Sequence, residues 1–517
     1  MSDALDAGMT VTEIAPMGQP IDVTVPTTAA FVGRALRGPV NTPVLIGNFA
    51  AFRRRFGGIW RQSSLGPAVR QFFEHGGKRL CVVRVANNAR GAMICLPAEH
   101  GVLVLHALEP GATENIRAAV DYDRINSTDK THFNLTIQRI APDSGLVIDQ
   151  EIYHRLSCSE HSGRFIEDVL FTSSLVTVDT PLPPGRPMAS DGGGAGASPE
   201  YVNHAQRGSD GAELSDYDLV GSMRTNTGIF ALEAVDQIDL LYLPPPARDH
   251  DLGPAVLLAA EMYCRKRGAM LIVDPPARWQ SVVDAVVNVR KAGYASPSIV
   301  AYFPRMYSSD DKDSLPRVVG GALAGLLCKV DEQHGPWEDL DQPGFGFSRN
   351  LKPCIQLTAE EGARLVHEGL NVIAGQSAGR AGFCGSVTLG RGRQTDRNSA
   401  SLTVRRFCLA LTNTIERATR WAIFEPDAPQ VAEHIQAQIH AYMIWLDDQG
   451  AFASPEFTVQ CDSTVYSGPT DPNRGITVLL AFQPLGSTEM VSLTLHQSVS
   501  GFRVASTAFA PVMAVCA

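Results

Sequence analysis

The chain has 517 residues, with 44 Lys plus Arg against 54 Asp plus Glu, giving a formal charge of −10 at pH 7. Hydrophobic residues make up 44 % and charged residues 19 %, enough apolar material for several packed domains, which excludes a disordered, collagen-like or coiled-coil chain. The acidic balance speaks against nucleic acid as a partner, because phosphate binding needs clustered Lys and Arg.

Residues 1–27 mix Thr, Val, Pro and Asp, and the alternation Thr10-Val11-Thr12-Glu13-Ile14 predicts one short strand without a hairpin partner. Ala29–Gly33 and Pro43–Ile46 read as strands. Asn48 is placed to cap a short helix ending at Phe56, and Arg53-Arg54-Arg55 then forms a solvated helix face. Leu65–His75 has helical spacing, Gly76-Gly77 stops it, and Leu80–Val85 follows as a buried strand. This αβ segment needs further sheet to complete it.

From residue 93 the pattern turns to short strands separated by polar turns, at Val102–Leu105, Phe133–Ile137 and Leu175–Val178. Between Thr180 and Gly211 stand seven Gly and five Pro, which predicts a flexible linker or exposed loop. Strand–helix alternation resumes with Leu240–Leu243, a helix over 251–267, Met270–Val273, a helix over 278–292, Ser298–Tyr302 and a helix over 315–330. Apolar strands alternating with helices imply a parallel sheet covered on both faces. Two long amphipathic helices follow over 401–422 and 428–449, the second capped by Asp427 and stopped by Gly450. Strands at Ile476–Phe482 and Met490–Leu495 close the pattern.

The chemistry-bearing motifs are weak. Gly375-Gln376-Ser377-Ala378-Gly379 matches the nucleophile elbow G-x-S-x-G, but an elbow must open a helix, and Arg380–Gly385 is poor in helix formers. A serine hydrolase using Ser377 is therefore the alternative reading. Asp274 ends a predicted parallel strand, where active-site carboxylates often sit, yet Pro275-Pro276 favours a turn-forming role. A ligand cleft beside Asp274 is the third reading. Gly344-Phe345-Gly346-Phe347 and Gly390-Arg391-Gly392-Arg393 lack phosphate-loop spacing. His434 and His440 fall on different helix faces. The ten cysteines contain no Cys-x-x-Cys pair and sit among apolar neighbours, as small core residues do. These observations predict no catalytic residue, no cofactor and no metal site. The acidic start Met1–Asp6 lacks a signal core, and no apolar run is long enough to span a bilayer, so no membrane insertion is expected.

Several segments in order carry a family resemblance. Thr27-Thr28-Ala29-Ala30-Phe31-Val32-Gly33-Arg34-Ala35-Leu36-Arg37-Gly38-Pro39-Val40-Asn41 resembles the opening of contractile tail sheath proteins. Phe52–Gly58 and Pro67–Arg79 resemble the family's F-x-x-x-F-G-G and A-V-x-x-F-F-x-N-G-G segments, and Gly369–Ile373, Val404–Phe407 and Trp421–Asp427 extend the match. Three features depart from it. Residues 1–25 lack a Pro-Gly-Val-Tyr-Val-like arm, Phe383–Leu389 replaces Val-Trp-Gly-Ala-Arg-Thr-Leu, and the tail from Ser498 to Ala517 is longer.

The resemblance implies an α/β main body, subtilisin-like but non-catalytic, completed by N- and C-terminal α+β segments and interrupted by an inserted β-rich domain. The expected division is an arm over 1–27, the first part of the main domain over 28–92, the insert over 93–220 with its Gly/Pro loop at 180–211, the α/β domain over 221–395, a C-terminal α+β domain over 396–485 and a strand and arm over 486–517. It also implies hexameric rings stacked helically around an inner tube. Baseplate and tail-terminator proteins are further partners, and in some systems an ATPase that assembles or recycles the particle. Assembly is expected in the bacterial cytoplasm, as part of a phage tail or phage-tail-like particle. An arm that adds a strand to a neighbour's sheet would use Val11 and Ile14, and the C-terminal strand would use Val491, Leu493 and Leu495. Gln436, His440 and Asp447 are the candidates for facing the tube.

Overall fold

The computed structural model describes residues 21, 26–141, 144–190, 200–247, 250–291, 295–309, 315–341, 345–375, 381–390, 400–424, 429–462, 475–498 and 501–506. The central element is an eight-stranded sheet in the order Ala381–Cys384, Asn371–Gly375, Ile299–Phe303, Met270–Val273, Leu240–Tyr242, Ala29–Gly33, Leu80–Arg84, Pro43–Ile46. Its six inner strands are parallel, and each edge strand is short and antiparallel. Ala29–Gly33 joins the N-terminal segment to the later strands, pairing with Leu80–Arg84 on one side and Leu240–Tyr242 on the other.

The inner strands are apolar on both faces because helices cover both. Leu65–Glu74 and Gly320–Gln333 bury Val69, Phe72, Leu323 and Leu327 on one face, around Phe31 and Tyr242. Pro254–Arg267 and Val282–Lys291 bury Val256, Ala260 and Ala285 on the other, against Leu241 and Leu271. The helix before Gly57 is capped as expected, with Asn48 Oδ1 accepting from Ala51 N at 2.8 Å, and Arg53, Arg54 and Arg55 are exposed.

A β-rich unit is inserted between Leu80–Arg84 and Leu240–Tyr242. It holds a three-stranded antiparallel sheet of Met93–Ala98, Gly101–Ala107 and Val176–Val178. A second, four-stranded sheet runs Val202–Asn203, Asn115–Asp121, His132–Ile140, Val147–Ser157. Ile94, Leu105, Ile116, Phe133, Leu135 and Leu156 share one core between them. The described parts of the Gly/Pro-rich stretch are not a free linker. Met188 N donates to Pro97 O at 2.7 Å and Ser190 N to Val120 O at 2.8 Å, and Val202 pairs with Ala118.

The C-terminal unit packs two helices, Leu402–Thr419 and Pro429–Asp448, on a four-stranded antiparallel sheet ordered Thr458–Asp462, Gly475–Phe482, Val491–Ser498, Gly501–Ser506. The outer two strands, Thr458–Asp462 and Gly501–Ser506, add to the two that the sequence pattern predicts. Phe407, Ile435, Ile439, Val478, Leu480 and Leu493 form its core, which also takes in Ile21 and Trp337. Asp427 lies outside the described residues, while Gly450 takes the left-handed φ of 79° that ends a helix.

Candidate assembly surfaces

The helix Leu402–Thr419 crosses the amino ends of the central strands. Arg406 forms an ion pair with Asp331, and both side chains are buried. Arg405 Nη2 donates to Ser298 Oγ at 3.3 Å, Asn413 Nδ2 donates to Gly268 O at 2.9 Å, and Arg417 bonds Gln237. Ser298, Gly268 and Gln237 each precede a strand of the body. Burial lowers the Arg405 guanidinium to about 10. The adjacent Arg405 and Arg406 are the one trace this contact leaves in the sequence, and their spacing does not name a partner.

The same corner holds the root of the N-terminal segment. Thr27 Oγ1 donates to Asp331 Oδ2 at 2.8 Å, and Thr28 N donates to Asp239 Oδ2 at 2.8 Å. Asp239 N returns a bond to Thr28 O at 2.9 Å. Burial raises the Asp239 carboxyl above its ordinary range, against the opposing bonds from Thr28 and Gln237. Val11 and Ile14 lie outside the described residues.

Val491, Leu493 and Leu495 are placed inside this chain rather than at an outer surface. They are 0–1 % exposed, and their strand is paired on both sides, to Gly475–Phe482 and to Gly501–Ser506. Side-chain alternation turns all three toward the two helices. Among the described residues the outer sides of Thr458–Asp462 and Gly501–Ser506 pair with no further strand. On the helix Pro429–Asp448, Gln436 and His440 are exposed and Asp447 is half-buried. Ile444, one turn on from His440, is 46 % exposed, so the surface is mixed rather than purely polar.

The insert is keyed to the body by buried charge. Arg84, 1 % exposed, donates to Ala35 O at 3.0 Å and to Pro110 O at 2.8 Å. Glu109 accepts from Gly38 N at 2.9 Å and pairs with Arg55.

The motifs read for chemistry resolve differently. Ser377 lies outside the described residues, but the strands flanking it, Asn371–Gly375 and Ala381–Cys384, pair antiparallel with Gly375 opposite Ala381. The segment therefore joins strand to strand, where a nucleophile elbow leads from strand to helix. Asp274 is half-buried and accepts from Tyr242 Oη at 2.5 Å, Val319 N at 3.1 Å and Gly320 N at 3.0 Å. It caps the helix Gly320–Gln333, a structural task. Burial raises its pKa despite these donors and nearby Arg305. Among the described residues no group of His, Cys, Asp and Glu is arranged to hold a metal ion, and no disulfide joins the nine described cysteines. No described helix is long and apolar enough to cross a membrane.

No protein-family model and no curated protein matches the sequence. Solved structures do match its fold. A sheath tail protein from Listeria innocua is 13 % identical, with a TM-score of 0.61, covering 93 % of this chain and 94 % of the other. The sheath complex of an extracellular contractile injection system, PVC, in its contracted state is 14 % identical, with a TM-score of 0.54, over 95 % and 96 % of the two chains. A chain of the six-fold symmetrised baseplate of the anti-feeding prophage is 15 % identical, with a TM-score of 0.52, over 95 % and 97 %. The architecture is thus that of contractile tail sheath proteins, and the likeness runs the length of both chains.

Proposed function

We propose that this protein is a structural, non-enzymatic subunit of a contractile sheath. The observation that carries the reading is the end-to-end likeness of fold to sheath proteins of tails and contractile injection systems, insert and C-terminal unit included. In this reading copies form hexameric rings stacked helically around an inner tube. Contraction exchanges one set of subunit interfaces for another and drives the tube through a target envelope. The six-fold baseplate relative favours the ring symmetry. The subalternate features fit the same role. The C-terminal sheet offers open edges on which a neighbour's segment can add a strand, each main-chain bond contributing roughly 0.5–1.5 kcal/mol net. The N-terminal segment, with Val11 and Ile14, leaves from a clamped root at Thr27-Thr28. If the strand of Val491, Leu493 and Leu495 is exchanged between copies, it exchanges as a whole strand with its core side chains. Gln436, His440 and Asp447 face the tube, and the insert stands on the outer surface.

Inner tube, baseplate and tail-terminator proteins are the partners, with an ATPase that assembles or recycles the particle in some systems. Assembly takes place in the bacterial cytoplasm. Negative-stain microscopy of the purified protein tests the reading. Tubes or stacked rings are expected, and monodisperse monomers at high concentration overturn it. A serine-directed fluorophosphonate probe is expected to leave Ser377 unlabelled.

A further inference from the structure

The two helix layers on the central sheet are covered differently. On one face, Gly320–Gln333 buries ten of its fourteen residues. On the other, Pro254–Arg267 buries Val256, Leu257, Ala260, Tyr263 and Cys264 in the core, yet its solvent side is apolar too. Ala255, Leu258, Met262 and Arg265 follow one another at spacings of three, four and three, which makes one row along the helix, and all four are exposed. Leu258 is 64 % and Met262 54 % exposed. The next helix, Val282–Lys291, exposes Val283 and Val287 one turn apart, and Tyr217 stands out from the short helix Asp216–Val220 packed beside Pro254–Arg267. A helix that is apolar on all sides is ordinarily buried on all sides, and an exposed apolar patch of this kind marks an interface.

Charge decides what covers it. At the amino end of Pro254–Arg267, Asp216 Oδ1 accepts from Gly253 N at 3.1 Å, which brings Glu213, Asp216 and Asp218 there, against Arg224 on the following turn. Asp251 is paired with Arg305, and Arg248 and Asp249 cancel. At the carboxyl end stand Arg265, Lys266 and Arg267, against Asp236 and against Glu233, which pairs with the last two. The neighbouring helix adds Arg278 and Asp284 at the first end. At the other it adds Lys291, and there Arg290 is paired with Glu368 beside His367. The surface therefore runs from a net negative end to a net positive one. Laid on itself antiparallel, with a two-fold axis level with Ala260, the row sets Leu258 on Met262 and Ala255 on Arg265 of the second copy. The positive end of each copy then lies on the negative end of the other, and the helix dipoles oppose. A parallel arrangement would set like charge on like.

We propose that Pro254–Arg267 pairs antiparallel with its counterpart in a second copy, closing a two-fold dimer of the unassembled protein. A two-fold contact closes on itself, whereas a helical stack grows by contacts that repeat in one direction. The dimer therefore holds copies out of the polymer, and subunits enter the polymer as monomers. That consequence rests on the assembly reading, whereas the dimer rests on the surface alone.

Sedimentation velocity of the full chain, below the concentration at which tubes form, is expected to show a monomer–dimer equilibrium. Leu258→Glu and Met262→Glu, both at exposed positions, should each weaken it about tenfold or more, and Arg265→Glu by a smaller factor. Native-like circular dichroism of the variants excludes misfolding. Chains carrying Leu258→Cys, mixed with isotope-labelled chains carrying Met262→Cys, should on oxidation join through the two introduced thiols across unlike labels. Monomer at every concentration, a dimer that neither acidic substitution weakens, or introduced thiols that link to the exposed Cys384 instead of to each other overturns the pairing. Leu258→Glu should also shorten the lag before tubes appear, since all its subunits are free to add. Loss of tubes in that variant would place the row in the polymer and overturn the reserve role. Dimers without tubes in the wild type would indict the assembly reading and leave the pairing standing.

Discussion

The central sheet and the C-terminal sheet solve the same packing problem in opposite ways. The central sheet buries its inner strands on both faces and ends on two antiparallel strands of only four residues, Pro43–Ile46 and Ala381–Cys384. Short edges, one opened by a proline, blunt further pairing. The C-terminal sheet covers one face with helices and ends on Thr458–Asp462 and Gly501–Ser506, whose outer sides take no further described strand. One sheet is finished within the chain and the other is left extendable. The contrast separates what holds the fold together from what is available to a neighbour.

The largest effect expected in breaking this contrast comes from the shared C-terminal core. Phe407 is 1 % exposed and packs on Trp337, Phe452 and Phe482 with ring centroids 5.7–5.9 Å away. Phe407→Ala should cost about 3–5 kcal/mol. Urea unfolding followed by hydrogen exchange should find the C-terminal strands opening before Met270–Val273. Uniform opening would mean the two sheets are one cooperative unit.

Nearly as large is the clamp between them. Arg406→Met leaves Asp331 buried without its partner and should cost about 3–5 kcal/mol, whereas the double change Arg406→Met with Asp331→Leu should recover most of that. Chemical denaturation of the three variants measures the coupling. Equal losses in single and double variants would show that the pair matters through packing alone.

A smaller effect is one of pH. Burial raises the Asp274 carboxyl, so its folded pKa lies above the unfolded value. Its contribution is then fully present below the unfolded pKa and is lost as pH rises through the folded one. Asp274→Asn, which cannot ionise, should therefore gain on the wild type as pH rises from about 4 to 8. Urea midpoints across that range check the sign, and a difference that is flat or falls with pH contradicts it.

The smallest effect on stability should accompany a complete loss of polymer. Thr458 and Gln460 are exposed on the edge strand. Replacing both by Lys should change monomer stability by no more than about 0.5 kcal/mol. It should nevertheless stop tube formation in sedimentation and microscopy, because edge lysines oppose strand addition. Normal tubes would place the growth contacts elsewhere.

Much of the body was legible because period and burial agree there. Runs such as Leu80–Val83 and Met270–Val273 are uninterrupted and apolar, and Asn48 and the Gly76 turn mark helix ends locally. The insert's longest strand, Val147–Ser157, was missed because most of it is exposed and its apolar residues do not alternate cleanly. The candidate contacts were harder. Val491, Leu493 and Leu495 alternate as a half-buried strand does, and that pattern cannot tell a partner's core from the chain's own. Asp239, Asp331 and Arg406 lie 92 and 75 positions apart, and nothing in local spacing brings them together.

The helix that lies across the amino ends of the strands has a mechanical consequence. It is bolted to the body at Ser298, Gly268, Gln237 and Asp331, and the N-terminal root is fastened to that last carboxylate. A pull on the N-terminal segment is thus delivered to body and C-terminal unit together. In a sheath of the kind proposed, each subunit should travel as a stiff tile, and the compliance should lie in the grout between tiles.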